Sequence, residues 1–284
     1  MKTSIIALAA SVLISAPALS AANPTSRPAK YHEPIKIEKK WRKYNPGKIN
    51  FSIQSPETEG AKIYSNIVKD PDTYITDNAR RVLQTLYFSP KDSIPNITDI
   101  DYVVRKFDGI SYKSGGGNRV RIDYSTDWVE KSFKDNDTLK LDYETRGVIY
   151  HELTHAFQLC PQGAGVYDGK SPCWAFIEGT ADAVRVACGC FNQDFASKDR
   201  PRGGNWMSGY RITGYFLYWL SLNKDKNFIR KFNRTAIEVN PWSWDEAMYH
   251  ILGRDEKNSV KNLWAEYMDA IGDEQDRAKA KPVE

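Results

Sequence analysis

Hydrophobic and polar residues alternate with a period of two in several segments of the first half of the chain. Such alternation is typical of strands that bury one face, because successive side chains of a strand point to opposite sides of the sheet. It predicts a strand over 50–56, a hairpin over 101–114 and an exposed or edge strand over 119–126. The sequence GGGN at 115–118 predicts a turn before the last of these strands.

A second pattern, in which apolar residues recur every three to four positions, predicts amphipathic helices. The segments that show it are 71–88, 145–160, 173–188, 208–223, 226–238, 243–252 and 259–271. The first of them lies among the predicted strands, and the others follow. Strands followed by helices predict an α+β fold with a mixed sheet in the N-terminal part and a mostly helical C-terminal part.

The two ends of the chain differ in composition from the segment between them. Lys2 precedes a short apolar run at 5–14 and small residues at 18–22, which is the pattern of a secretory signal peptide cleaved near residues 20–22. Residues 23–48 predict an irregular N-terminal arm, 49–272 a single main domain and 273–284 a polar C-terminal tail. We therefore expect a secreted or periplasmic protein.

The charged residues are dispersed along the chain. The chain contains 40 Lys and Arg residues and 36 Asp and Glu residues, which gives a net charge of +4. No basic cluster of the kind that binds nucleic acid is present in the sequence, and its apolar runs are too short for a membrane span. We expect a monomer that binds neither nucleic acid nor a bilayer through a spanning helix.

All four cysteines lie within a stretch of 31 residues: Cys160, Cys173, Cys188 and Cys190. An even number of cysteines in an exported chain predicts disulfides. Four cysteines allow three pairings, and the sequence does not choose among them. Their spacing does not match the paired C-x-x-C knuckles of a structural zinc site.

The motif H-E-x-x-H occurs in the predicted helix 145–160, where the sequence reads VIYHELTHA. Residues four apart lie on one face of a helix, so His151 and His155 can present two imidazoles to one metal ion, with Glu152 beside them. The motif alone is short and also occurs in ordinary helices. A zinc hydrolase needs a third protein ligand and an open position for water.

The next predicted helix offers that third ligand. Gln158 and Pro161 stand where the longer metzincin motif has its glycine and its third histidine, which excludes that pattern. The sequence FIEGTADAV instead places Glu178 on the following helix and Asp182 one turn further on. Asp182 is in the right place to accept the second ring N–H of a zinc-bound histidine.

Four blocks of the chain together resemble the basic secretory proteins of plants and bacteria: VIYHELTHAFQ, FIEGTADAVR, NWMSGYRITGYFLYWL and LWAEYMDA. The resemblance extends over residues 50–271. These proteins are regarded as zinc-dependent peptidases of the gluzincin type. The resemblance implies a zincin-like domain, one catalytic zinc ion held by His151, His155 and Glu178, and Glu152 as the catalytic base. The cysteine-bearing segments 160–173 and 188–190 depart from the family pattern.

The expected reaction is hydrolysis of peptide bonds by zinc-activated water, with Glu152 as general base. Tyr210 is the candidate hydrogen-bond donor for the oxyanion, because the matching family block carries a Tyr after Gly; packing is the alternative role. The strand 120–125 is a candidate for binding an extended peptide by strand addition, although packing alone explains its alternation equally well.

The sequence also allows two other functions. One is an exported zinc-containing binding or defence-type protein without turnover, against which the intact Glu152 argues. The other is a zinc hydrolase of cell-wall peptide crosslinks or of amide bonds on a glycan. The first expectation remains a secreted zinc endopeptidase acting on protein or peptide substrates.

Overall fold

The computed structural model of the protein describes residues 33–134, 136–191 and 203–272. The predicted signal peptide (1–22), the first part of the arm and the predicted tail (273–284) lie outside the described residues. The rest of the arm runs without regular structure along one side of the fold, where Trp41 is fully buried. The side chain of Gln84 accepts from the backbone of Glu38 and donates to that of Lys36, and so ties the arm down.

A four-stranded sheet of the order β1-β2-β4-β3 forms the N-terminal layer. The strands are β1 (Lys48–Ile53), β2 (Asp99–Arg105), β3 (Ser111–Gly116) and β4 (Arg119–Ser125). β1, β2 and β4 are parallel, and β3 is antiparallel to β4. The sheet is therefore mixed, and with the helices that follow it confirms the predicted α+β class.

The strand pairing differs from the prediction in two ways. The predicted hairpin over 101–114 is wrong, because β2 pairs with β4 and the hairpin joins β3 to β4. β4 is also an interior strand rather than an edge strand. Its alternation is real, since Val120 and Ile122 are buried in the core. Arg121 faces the other side of the sheet and binds Asp123, which is why the strand resembles an exposed one in sequence.

The described helices are α1 (Glu59–Ile67), α2 (Pro71–Leu86), α3 (Thr126–Ser132), α4 (Thr138–Phe157), α5 (Pro172–Ala187), α6 (Tyr210–Asn223), α7 (Phe228–Glu238), α8 (Trp244–Leu252) and α9 (Val260–Ala270). The short helices α1 and α3 were not predicted. α3 begins directly after β4, where the side chain of Ser125 caps it, so no turn residue separates strand from helix. Among the described helices, none combines the length and apolar character that crossing a membrane requires.

α4 is the central helix of the fold. Its last three turns are buried on nearly every side, against the sheet, α2 and α5. Burial on every side includes polar residues such as His151 and Glu152, and polar groups in a protein interior need partners there. The hydroxyl of Tyr87, which follows α2, donates to the backbone oxygen of Phe157 at 2.5 Å and fixes the end of α4. The polar residues of α4 are thereby held in a rigid, largely dry environment.

α5 and α6 approach each other unusually closely through two glycines. A methyl group at Gly179 would lie 2.3 Å from Thr213 Cγ2, and one at Gly214 would lie 2.8 Å from Asp182 Cβ. Nothing larger than a hydrogen atom fits at either position without movement of the helices. The close contact brings the start of α6, with Tyr210, to the part of α5 that carries Glu178 and Asp182.

Four free thiols stand where the sequence predicts disulfides, and all four cysteines are among the described residues. Cys188 and Cys190 are separated by one glycine but contact different carbonyl oxygens, those of Arg81 and Tyr143. Cys160 and Cys173 lie side by side: a hydrogen bond from the Cys173 thiol lowers the pKa of Cys160 to about 7. Burial raises the pKa of Cys188 and Cys190 to about 12, which disfavours the thiolate form of both.

Candidate metal centre

The histidines of H-E-x-x-H lie one turn apart on α4, as the sequence predicts. Their rings are nearly perpendicular, with centroids 4.6 Å apart. His151 Nε2 and His155 Nε2 are 3.0 Å apart, so both nitrogens are directed at the same point. Two imidazole nitrogens in this arrangement can bind one cation between them.

Glu178 completes this group from α5. That helix is started by Ser171, whose hydroxyl accepts from the backbone of Trp174, and by a proline in its first turn. Glu178 Oε2 lies 3.2 Å from His151 Nε2 and 3.6 Å from His155 Nε2. One ligand atom from each of the three residues lies within 4.8 Å of the others, which is the spacing of a metal-binding triad.

The chemistry of this group fits a cation. Glu178 is only 1% exposed, and its Oε2 makes no hydrogen bond to any described residue. Its polar neighbours include the two histidine nitrogens, and a metal ion held between the three atoms would satisfy all of them in this buried place. Two imidazole nitrogens and one carboxylate oxygen form the three-ligand set of catalytic zinc sites, which leave a fourth position open.

Asp182 supports the triad from the other side of His151. Its Oδ1 lies 2.8 Å from His151 Nδ1, at hydrogen-bonding distance. Burial opposes protonation of His151, but Asp182 and Glu178 outweigh it and raise the pKa of His151 to about 10. Glu178 is affected in the opposite sense: burial disfavours its charge, yet the two histidines hold its pKa well below the usual range. Two carboxylates thus surround the imidazoles with negative charge.

Replacing Asp182 with Asn is expected to weaken binding of a metal ion such as zinc by about 10–100-fold, because a neutral amide accepts more weakly from Nδ1–H of His151 than a carboxylate does, and its NH2 group can donate to Nδ1 and favour the wrong tautomer. Competition with a chromophoric zinc chelator measures this affinity. Asp72→Asn, an exposed carboxylate in the first turn of α2, is the matched control. Equal affinities for wild type and Asp182→Asn would show that Asp182 does not orient the ligand.

Gln158, the residue that ends α4, contacts the second histidine. Its side-chain amide nitrogen lies 2.9 Å from His155 Nδ1. The other amide atom, Oε1, is buried without a hydrogen-bond partner among the described residues. Turning the amide by 180° places the oxygen on Nδ1–H and leaves the Nε2 lone pair of His155 for a metal ion.

Glu152 is buried beside the triad but is not part of it. It is 4% exposed, and its Oε1 accepts a hydrogen bond of 2.5 Å from the hydroxyl of Ser111. Ser111 is the first residue of β3. Lys113 lies two residues further on that strand. Burial lowers the pKa of this lysine, and the negative charge of Glu152 partly opposes that effect. Glu152 thus lies between the sheet and the metal centre, with one carboxylate oxygen held in place.

Tyr210 lies against the same centre in a strained conformation. Its backbone φ is +41°, which a non-glycine residue rarely adopts and which clusters at functional sites. The ring stacks on His151, with centroids 5.9 Å apart and planes inclined by 16°. It also packs edge-on against Trp174. Burial, together with the charges of Glu178 and Asp182, raises the pKa of the Tyr210 hydroxyl, so it stays protonated and able to donate.

Three residues that contact the centre were not predicted to do so from the sequence: Gln158, described above, Ser111 and Tyr167. Ser111 contacts Glu152 from a strand 41 residues earlier in the chain. Tyr167 comes from the loop between α4 and α5, and its hydroxyl donates to Glu178 Oε1. Ser111 and Gln158 lie in periodic segments, but the period does not show what their side chains contact, and Tyr167 lies in a segment without a period. The one available signal was the position of Tyr167 between the two ligand-bearing helices.

Comparison with known proteins gives one family match for the chain. A family model described as a peptidase of plants and bacteria matches residues 46–267. The matched range contains the sheet, both ligand-bearing helices and every residue of the centre. No curated protein and no solved structure gives a match to the chain.

Proposed function

The chain belongs to this family of peptidases of plants and bacteria, as its resemblance to the basic secretory proteins implied, and from that premise we propose that it is a secreted zinc-dependent endopeptidase. The observation that supports zinc is the convergence of His151 Nε2, His155 Nε2 and Glu178 Oε2 within 4.8 Å. The proposed secretion rests on the predicted signal peptide at 1–22.

The proposed metal would be held by His151, His155 and Glu178. When bound there, zinc supplies a Lewis acid that polarises the scissile carbonyl and makes water nucleophilic near neutral pH. Asp182 keeps the proton of His151 on Nδ1 and so leaves Nε2 for the metal. The remaining steps belong to side chains of this protein.

Glu152 is the proposed general base. Ser111 occupies its Oε1, so Oε2 is the oxygen available to accept a proton from the attacking water. The same carboxyl group then delivers that proton to the leaving amine, which turns a poor leaving group into a neutral one. Tyr210 is the proposed donor to the oxyanion, because its hydroxyl is protonated and its ring is held against His151.

The peptide substrate is proposed to lie along β3 rather than along the strand that sequence alone suggested. β4 is paired on both sides, by β2 and β3, and has no free edge. β3 is the outer strand of the described sheet, and its first residue, Ser111, contacts Glu152. A peptide added to this edge would place a backbone carbonyl close to the proposed base.

Zinc content and casein hydrolysis, measured on the same preparation, test this proposal. We expect one zinc ion per chain, activity that is lost on dialysis against a chelator, and recovery when zinc is added back. Zinc without hydrolysis of casein or of a peptide library would favour a binding protein without turnover. Hydrolysis confined to cell-wall peptides or glycan amides would favour the other alternative. Absence of zinc from an active preparation would overturn the metal assignment.

A further inference from the structure

The segment between α4 and α5 is held firmly at both ends. At its start, Leu159 donates from its backbone to the side chain of Asn233 at 2.9 Å, and Gln162 donates to the backbone of Ala236 at 3.1 Å. At its end, Asp168 accepts from the backbone of Ser171 at 2.8 Å. Because the chain around it is tied to α7 and to the start of α5, Tyr167 has a defined place.

In this position Tyr167 contacts one carboxylate oxygen of Glu178 and leaves the other to face the histidines. Its hydroxyl donates to Oε1. The other oxygen, Oε2, faces the two histidine nitrogens at 3.2 and 3.6 Å. Tyr167 is half-buried, whereas its neighbour Val166 is 69% exposed, so the chain turns the tyrosine toward the metal centre at this point.

We propose that Tyr167 is a positioning residue that makes Glu178 a one-oxygen ligand of the metal. This inference rests on the proposed function, since it assumes that the triad binds zinc. A free carboxylate can approach a cation through one oxygen or through both. A hydrogen bond from a neutral hydroxyl to a carboxylate is charge-assisted and strong, and it holds Oε1 away from the cation.

The consequence concerns the open position of the site. Two histidine nitrogens and one carboxylate oxygen leave a fourth tetrahedral position for water or substrate. A second oxygen of Glu178 would crowd that position and raise the coordination number. Tyr167 thus favours four-coordinate zinc over larger cations, which prefer carboxylates that bind through both oxygens.

The test compares wild type with Tyr167→Phe, which keeps the ring and removes only the hydroxyl. We expect the zinc affinity, measured by competition with a chelator, to fall by about 10–100-fold. We also expect the visible absorption of the cobalt-substituted protein to weaken, because Co²⁺ absorbs less strongly as its coordination number rises. Val166→Ala is the matched control in the same segment and should leave both readouts unchanged.

The outcomes separate this inference from the proposed function. If the wild type binds neither zinc nor cobalt, the metal assignment itself is wrong. If the wild type binds both, and Tyr167→Phe has the same affinity and the same cobalt spectrum, Tyr167 does not position Glu178. An equal loss in Val166→Ala would show that the conformation of the segment matters rather than the hydroxyl. Thermal unfolding of the metal-free variants, with midpoints within about 2 °C of wild type, checks that all of them fold.

Discussion

Replacing Glu152 with Gln is expected to lower kcat/KM for peptide hydrolysis by about 10²–10⁴-fold, the range that a general base contributes. Zinc binding should be unchanged, because Glu152 is not one of the three residues whose ligand atoms converge. Glutamine has the same size, and its carbonyl oxygen can still accept the hydrogen bond from Ser111. The amide cannot take a proton from water, so only the proton transfer is lost.

Zinc stoichiometry and steady-state rates on a fluorogenic peptide, measured for both proteins, check this expectation. Glu59→Gln is the matched control, since that carboxylate lies on the exposed first turn of α1. A Glu152→Gln variant that still cleaves at the wild-type rate would remove Glu152 from the mechanism. Loss of zinc together with activity would instead assign Glu152 a role in binding the metal.

Replacing Glu178 with Ala is expected to abolish stoichiometric zinc binding and, with it, hydrolysis. The substitution removes one of three ligands and leaves two imidazoles, which are too few for a tetrahedral protein site. The loss should also appear as lost stabilisation. A ligand present at 100 times its Kd raises the free energy of unfolding by about 2.7 kcal/mol. For a domain of this size that corresponds to a rise in Tm of about 5–10 °C.

Calorimetry with and without added zinc measures this effect. Wild type should show the rise in Tm, and Glu178→Ala should show none. Glu178→Gln is the companion variant, because it keeps the volume of the buried side chain and therefore separates loss of the ligand from creation of a cavity. A variant that retains one zinc per chain with wild-type affinity would exclude Glu178 as the third ligand.

Together, these variants separate metal binding from chemistry. The Glu152 variant should retain zinc and lose turnover, and the Glu178 variant should lose both. Asp182→Asn and Tyr167→Phe should lie between them, with weakened zinc affinity. If the protein binds zinc without turnover, Asp182→Asn and Tyr167→Phe would still bind zinc more weakly than wild type. Wild type itself would then show no hydrolysis, so Glu152→Gln would have no effect on the rate.

Features that depend on local periodicity could be predicted from the amino-acid sequence alone. A period of 3.6 residues specifies which face of α4 carries His151 and His155, whatever the helix packs against. The same helical period places Asp182 one turn after Glu178 on α5. The helices from α4 to α9 were predicted to within a few residues, apart from the first turns of α4, because their apolar residues recur with a helical period. The α+β class followed from the order of the two patterns.

Strand pairing and the contacts between distant side chains depend instead on how the elements pack in three dimensions. Strand order depends on the crossover from β2 to β4, and the alternation of β4 is the same for an interior strand as for an edge strand. The contact of Ser111 with Glu152 depends on how β3 packs near α4, and that of Tyr167 with Glu178 on how the intervening segment folds back. Such contacts arise from packing between elements far apart in the chain or from a segment without periodicity. Local sequence patterns therefore carry no signal for them.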